Sequence, residues 1–104
     1  MAYTRYDIAN HITEVLKLYP VQRGALFGSY ARNEQTNDSD VDLLLDLGVD
    51  EKYPNADYIY DLLDTLEAKL KLRVDFVTVN GMRTNPSKMF KKNVEAESWW
   101  FYEV

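Results

Sequence analysis

Apolar residues along the chain recur at helical spacing in three segments. Residues 7–18 carry them on one side, and Tyr19-Pro20 ends this helix because the residue before proline avoids helical backbone. Residues 56–72 form the clearest amphipathic pattern, with an apolar stripe flanked by charged side chains. Asn85-Pro86 predicts the cap and first residue of a third helix, which runs to about Ala96.

Shorter apolar segments between these helices predict strands. The predicted strands cover residues 21–27, 41–47, 74–79 and 98–104. Gly28-Ser29 interrupts the pattern after the first strand and opens a helical turn over residues 30–34. A loop is predicted at residues 48–55, and Asn80-Gly81 predicts a turn.

This order of helices and strands predicts a single small domain spanning residues 1–104, of the α/β or α+β class. We expect its sheet to be mixed, to have three or four strands and to carry the helices packed on it. A chain of 104 residues supports one hydrophobic core, and no repeat, low-complexity tract or linker divides it.

The charge and cysteine content exclude several classes of function. The formal net charge of −5 gives no net attraction to nucleic acid or to an anionic membrane. No apolar run approaches the roughly 20 residues of a membrane helix, and the N-terminus lacks the apolar segment of a signal peptide. We therefore expect a cytoplasmic protein that binds neither membranes nor nucleic acid directly. The absence of cysteine excludes disulfides and thiolate metal ligands.

Two aspartates at the start of the second predicted strand carry the strongest chemical signal. Asp40 and Asp42 flank Val41, and because alternate side chains of a strand point to the same side, the two carboxylates project together. Such a pair is unfavourable unless cations lie between the carboxylates, and Mg²⁺ suits an all-oxygen site. Asp75 interrupts a strand that otherwise predicts core, and it could join them if the two strands pair. Three carboxylates on neighbouring strands can hold two metal ions that bind a triphosphate.

The turn at Gly28-Ser29 has the complementary chemistry. It follows a strand and opens a helical turn, where free backbone N–H groups attract phosphate. Gly28 permits close approach of the backbone to a ligand, the Ser29 hydroxyl can donate to a phosphate oxygen, and Arg32 could reach the same anion. Taken singly, an Asp-x-Asp pair is usually a solvated strand end and a Gly-Ser pair a simple turn. Their conjunction favours a site for metal ions and phosphate.

These residues resemble a known signature. Gly28-Ser29, followed after ten residues by Asp40-Val41-Asp42, is similar to the signature of the DNA polymerase β-like nucleotidyltransferase superfamily. Within it, the chain resembles the minimal nucleotidyltransferases, the MntA-like antitoxins of HEPN/MNT toxin–antitoxin systems. Val74-Asp75 is similar to the strand that carries the third carboxylate of the family. Asn33 departs from the pattern, because the family commonly has glycine there.

The resemblance implies a nucleotidyltransferase fold and ATP-dependent transfer of AMP with two Mg²⁺ ions. The implied roles are catalysis and metal binding for Asp40, Asp42 and Asp75, and nucleotide binding for Gly28, Ser29 and Arg32. The implied partner is a HEPN-domain toxin that is modified on a tyrosine hydroxyl, so that the chain acts as an antitoxin. Two alternatives stay open, namely neutralisation of the partner by binding alone and nucleotidyl transfer to a small molecule.

The aromatic tail Trp99–Tyr102 predicts a surface contact. Four successive rings cannot all lie on one side of a strand, so we expect two to face the core and two to face outward. Outward rings favour contact with a partner or a second copy of the chain.

Overall fold

A computed structural model describes residues 3–48 and 58–104 of the protein. The elements are α1 (Arg5–Leu16), β1 (Arg23–Phe27), β2 (Val41–Asp46), α2 (Tyr58–Leu70), β3 (Val74–Thr78), α3 (Val79–Thr84), α4 (Lys88–Glu97) and β4 (Trp99–Glu103). Residues 49–55 of the predicted loop and the first two residues of the predicted second helix lie outside the described residues. Among the described helices, none has the length and apolar character needed to span a membrane.

The strands form one four-stranded mixed sheet, as predicted. Its order is β3-β2-β1-β4, with β2 and β3 parallel and the other neighbours antiparallel. Helices α1 and α2 pack together, and their buried residues belong to one core with the side chains of one sheet face. Helices α3 and α4 pack against β1, β2 and β3 with a second, smaller core. The molecule therefore has three layers, with the sheet in the middle.

The two cores differ in size. The larger core contains most of the fully buried side chains, among them Ile8, Ile12, Leu16, Leu26, Leu43, Leu45, Leu62 and Leu66. The smaller core comprises Ala25, Leu44, Val79, Met82 and Val94. Alternation along β2 explains the division, because Leu43 and Leu45 enter the larger core while Leu44 enters the smaller one. The even-numbered residues of β2 consequently share the face that only the short helices cover.

Local hydrogen bonds place the ends of the first two helices. α1 begins two residues earlier than predicted, because Thr4 and Asp7 form a reciprocal capping box in which the Thr4 hydroxyl accepts from the Asp7 amide at 3.1 Å. α2 ends at Leu70, where Lys71 adopts a left-handed conformation with φ of 57° and its amide donates to the Glu67 carbonyl.

Two predictions near the C-terminus were wrong. Asn80-Gly81 is not a turn but part of α3, because the Thr78 hydroxyl accepts from the Gly81 amide at 2.9 Å and Val79 and Met82 are buried beneath the helix. Asn85 is not the cap of the next helix. Its backbone is extended, and α4 begins three residues later, at Lys88. Ser87 is the cap of this helix, because its hydroxyl accepts from the Phe90 amide.

The aromatic tail forms β4, as predicted, but its rings are not divided evenly. Trp99, Phe101 and Tyr102 pack against the larger core, whereas Trp100 is 41% exposed and lies over the Arg23 guanidinium at 4.2 Å. The cause is an irregularity between β1 and β4, where the register shifts by one residue beside Gly24. The shift puts the side chains of Phe101 and Tyr102 on the same face of the sheet, toward the larger core. A homo-oligomer through this tail stays a prediction.

Candidate active site

The three predicted carboxylates lie at one end of the β2–β3 pair. Asp42 and Asp75 are direct neighbours in the parallel register, and paired residues of adjacent strands project to the same face. Asp40 lies just before β2, two residues from Asp42. Asp75 is exposed, while Asp40 and Asp42 are half-buried. The strand pairing thus brings together the residues that the sequence separates by 33 positions.

The neighbouring acids act on the pKa of Asp42. Partial burial, followed by repulsion from Asp75 and then from Asp40, raises the pKa of Asp42 to about 6. Arg32 acts in the opposite direction, and Glu97 adds to the repulsion. Asp42 is therefore an acid whose negative charge the surrounding protein does not neutralise.

The Gly28-Ser29 turn touches this acid. Gly28 has a φ of 74°, and a Cβ atom added to it would lie 2.3 Å from the Asp42 Oδ2 atom. Any larger residue would therefore be strained in its backbone and would also displace the carboxylate. Glycine is needed here for both reasons, and the turn and the acid form one site.

The backbone of the turn offers donors to an anion. The Arg32 amide donates to the Gly28 carbonyl at 3.1 Å, and the Glu34 amide donates to the Ser29 carbonyl at 2.9 Å. In the described residues, the N–H groups of Ser29, Tyr30 and Ala31 have no such acceptor, which is the arrangement of a first helical turn. The Tyr30 ring is buried, so it packs in the core and is not available to stack on a nucleotide base.

Asn33 closes this turn in a left-handed conformation with φ of 60°. Asparagine tolerates that geometry better than most residues with a side chain. The departure from glycine at this position therefore leaves the path of the turn intact.

Arg32 is held by two carboxylates. Its Nε atom donates to Glu34 at 2.8 Å, and its Nη1 atom donates to Glu97 of α4 at 3.1 Å. A guanidinium has five N–H groups, so these two bonds fix its orientation and leave the others for a ligand. The sequence predicted Arg32 at the site but not this pairing with α4.

These groups surround a cavity of about 520 Å³. Its lining residues are Phe27, Gly28, Ser29, Arg32, Ser39, Asp40, Asp42, Phe90, Asn93, Val94 and Glu97. Five of the six predicted site residues line it, and Asp75 lies beside it without lining it. The residues from α4 were not predicted. Their spacing at i, i+3, i+4 and i+7 was visible in the sequence, but nothing there showed which side of the sheet the helix covers.

The carboxylates at this end of the sheet fit a divalent cation. They offer hard oxygen ligands, and a cation would relieve the repulsion that raises the pKa of Asp42. Within residues 3–48 and 58–104, no group of three or more acidic or histidine side chains lies close enough together to hold a metal ion by itself. Mg²⁺ commonly binds one or two carboxylates together with substrate phosphates. The arrangement therefore suits an ion that is shared with a nucleotide.

The sequence profile of the nucleotidyltransferase domain matches residues 8–98, which is most of the chain. The chain belongs to this nucleotidyltransferase family. A relative from Thermococcus cleftensis, named protein adenylyltransferase MntA, is 36% identical over 84 residues, covering 81% of this chain and 82% of the relative. The family and this similarity identify the chain as an enzyme of the nucleotidyltransferase kind.

Solved structures share the fold of this nucleotidyltransferase. A chain from the crystal structure of a toxin–antitoxin with AMP-PNP superposes with a TM-score of 0.68 at 23% identity, covering 92% of this chain and 73% of that chain. A chain from the structure of a tri-AMPylated Shewanella oneidensis HEPN toxin in complex with MNT antitoxin gives 0.64 at 20% identity, covering 97% and 74%. These similarities establish the predicted polymerase β-like fold.

Proposed function

We propose that this nucleotidyltransferase transfers AMP from ATP to a tyrosine hydroxyl of a HEPN-domain toxin, and that it acts as the antitoxin of that partner. The observation that carries the proposal is the position of Asp42, which contacts the Gly28 turn and pairs in register with Asp75. The name of the Thermococcus relative, the AMP-PNP complex and the tri-AMPylated HEPN toxin all support it.

The turn and Arg32 bind the β- and γ-phosphates of ATP in this proposal. The free N–H groups that begin at Ser29, together with its hydroxyl, donate to phosphate oxygens. Arg32 is oriented by Glu34 and Glu97 before the nucleotide arrives, so little side-chain entropy is lost on binding. Two Mg²⁺ ions would be held by Asp40, Asp42 and Asp75, where they would neutralise the charge that develops on the phosphates.

The transfer step follows from this placement. The oxygen of the tyrosine hydroxyl forms a bond to the α-phosphorus, and the bond between that phosphorus and the bridging oxygen of pyrophosphate breaks. The bonding electrons leave with pyrophosphate, and the hydroxyl proton passes to the Asp75 carboxylate. Asp75 is exposed beside the cavity, so a residue on another protein can reach it.

Labelling with α-³²P-ATP tests this function directly. The purified chain is incubated with Mg²⁺ and a candidate HEPN-domain partner protein, and adducts are counted by mass spectrometry. We expect Asp42→Asn to reduce AMP transfer by more than about 100-fold, because it removes a metal-binding carboxylate. Asp38→Asn is the matched control, since Asp38 is an exposed aspartate of the preceding loop that does not line the cavity. Equal labelling by the two variants would contradict the assignment.

A further inference from the structure

One side of α4 faces the cavity, and two of its side chains, Phe90 and Asn93, have no role in the proposed transfer step. Phe90, Asn93 and Glu97 are spaced by three and four residues, so they form one stripe along the helix, and all three line the cavity. Glu97 joins this stripe to Arg32 at the phosphate-binding end. Phe90 lies seven residues away, which is about 10 Å along the helix axis.

Asn93 is a polar group without a partner in the part of the chain that the structure describes. Its side chain is exposed to the cavity and makes no hydrogen bond there, whereas Arg32 and Glu97 bind each other. A carboxamide offers a donor and an acceptor side by side. A carboxamide can pair with adenine through two hydrogen bonds at once, because the adenine N6 amino group donates and the adjacent N7 atom accepts.

Phe90 supplies an apolar surface next to it. The ring is half-buried because it packs against the smaller core, and its remaining surface lines the cavity. A ring held by a core can stack on any base, since every base has an aromatic face. Phe90 therefore offers binding without selectivity, and Asn93 offers selectivity.

We propose that this stripe binds the base of the nucleotide, with Phe90 stacking on it and the Asn93 amide selecting adenine over the other bases. The inference rests on the proposed function, because that function places the triphosphate at the Gly28 turn and Arg32. The stripe begins at Glu97, which binds Arg32, and extends along the cavity lining to Phe90, about 10 Å farther along the helix axis. The other lining residues include Asp40 and Asp42, whose carboxylates the proposed function assigns to the cations.

Nucleotide binding to the purified chain tests the proposal without an acceptor protein. The probes are the α,β-methylene analogues of ATP, GTP, CTP and UTP with Mg²⁺, and the readout is the Kd from calorimetry. We expect the wild type to bind the adenine analogue at least about tenfold more tightly than the others, and Asn93→Ala to remove most of that preference. Glu95→Ala is the control, because Glu95 is exposed two residues along, on the opposite side of α4.

Phe90 should behave differently from Asn93. Phe90→Leu should weaken all four analogues by a similar factor, about five- to tenfold, and Phe90→Tyr should restore binding. An unchanged base preference in Asn93→Ala, or a wild type that binds all four equally, would overturn the inference and leave the proposed function standing. A wild type that binds none of the four would overturn both.

Discussion

The two ends of β2 place an aspartate on the same face of the sheet and use it in opposite ways. Asp46 faces Arg23 across the antiparallel register and accepts from its Nε and Nη2 atoms, both at 2.9 Å. The Gly48 amide donates to the other carboxylate oxygen at 3.0 Å. Burial alone would raise the pKa of Asp46, but the Gly48 amide and Arg23 outweigh it and hold the pKa below its ordinary value.

Asp42, four residues earlier, has no such partner. Its neighbours in the register are Phe27 and Asp75. Arg32 is the cation that lowers the pKa of Asp42, but its guanidinium already binds two glutamates. Burial and the adjacent acids raise the pKa of Asp42 to about 6. An aspartate of β2 therefore stabilises the fold where it has a cationic partner, as at Asp46. Where it has none, as at Asp42, it indicates a ligand site.

Substitution of the glycine beside each aspartate should affect AMP transfer differently. Gly28 and Gly48 both have positive φ, so an alanine at either position should cost about 1 kcal/mol of stability. Only at Gly28 does the added Cβ collide with an acid, whereas at Gly48 it meets Gln22 at 3.2 Å. We expect Gly28→Ala to reduce AMP transfer by more than about 100-fold. Gly48→Ala should transfer AMP normally, and comparable losses in both would show that backbone strain alone is responsible.

The pH dependence of stability should separate the two acids. The folded pKa of Asp42 lies above its ordinary value, so the folded chain keeps a proton that the unfolded chain has released, and stability falls as pH rises from about 4 to 6. Partial exposure limits the loss to about 1–2 kcal/mol. Urea unfolding without divalent cations should show this loss in the wild type and not in Asp42→Asn. Parallel pH curves for the two proteins would be inconsistent with a raised pKa.

Removing the charge of the paired aspartate should have the smallest effect. Asp46→Asn keeps an oxygen for the Gly48 amide but loses the ion pair with Arg23, which is partly exposed. We expect the free energy of unfolding at pH 7 to fall by about 0.5–1 kcal/mol. The pKa of Asp46 is lowered in the folded chain. The difference in free energy of unfolding between the wild type and Asp46→Asn should therefore disappear as the pH falls below the ordinary pKa of aspartate. AMP transfer by the folded protein should be unchanged, and a loss of transfer would place Asp46 in the site.

The sequence was sufficient for the acids and the turn because strand geometry positions them. Asp42 lies in β2 and Asp40 immediately precedes it, and the apolar strand interrupted by Asp75 pairs beside β2. At Gly28 the sequence predicted a turn that the backbone of a ligand site could use, whereas its positive φ is known only from the structure. These are local rules that hold in any sheet.

Helix α3, and the side of the site that α4 makes, could not be predicted in the same way. Asn80 and Gly81 have low helix propensity, yet burial of Val79 and Met82 against the sheet stabilises α3 around them. The contact between Glu97 and Arg32 joins residues 65 positions apart and depends on how α4 crosses the sheet. Such contacts follow from tertiary packing and have no local pattern.

Asp42 joins the other acids to the Gly28 turn, so it should be required for the binding of a nucleotide with Mg²⁺. This requirement is measured by the change in Tm on adding Mg²⁺ and α,β-methylene ATP to the wild type and to Asp42→Asn. We predict a rise of several degrees for the wild type. For Asp42→Asn we predict a higher Tm before addition, because repulsion is relieved, and little rise afterwards. Equal rises in Tm for the two proteins would contradict the assignment of Asp42 to a site for a nucleotide with Mg²⁺.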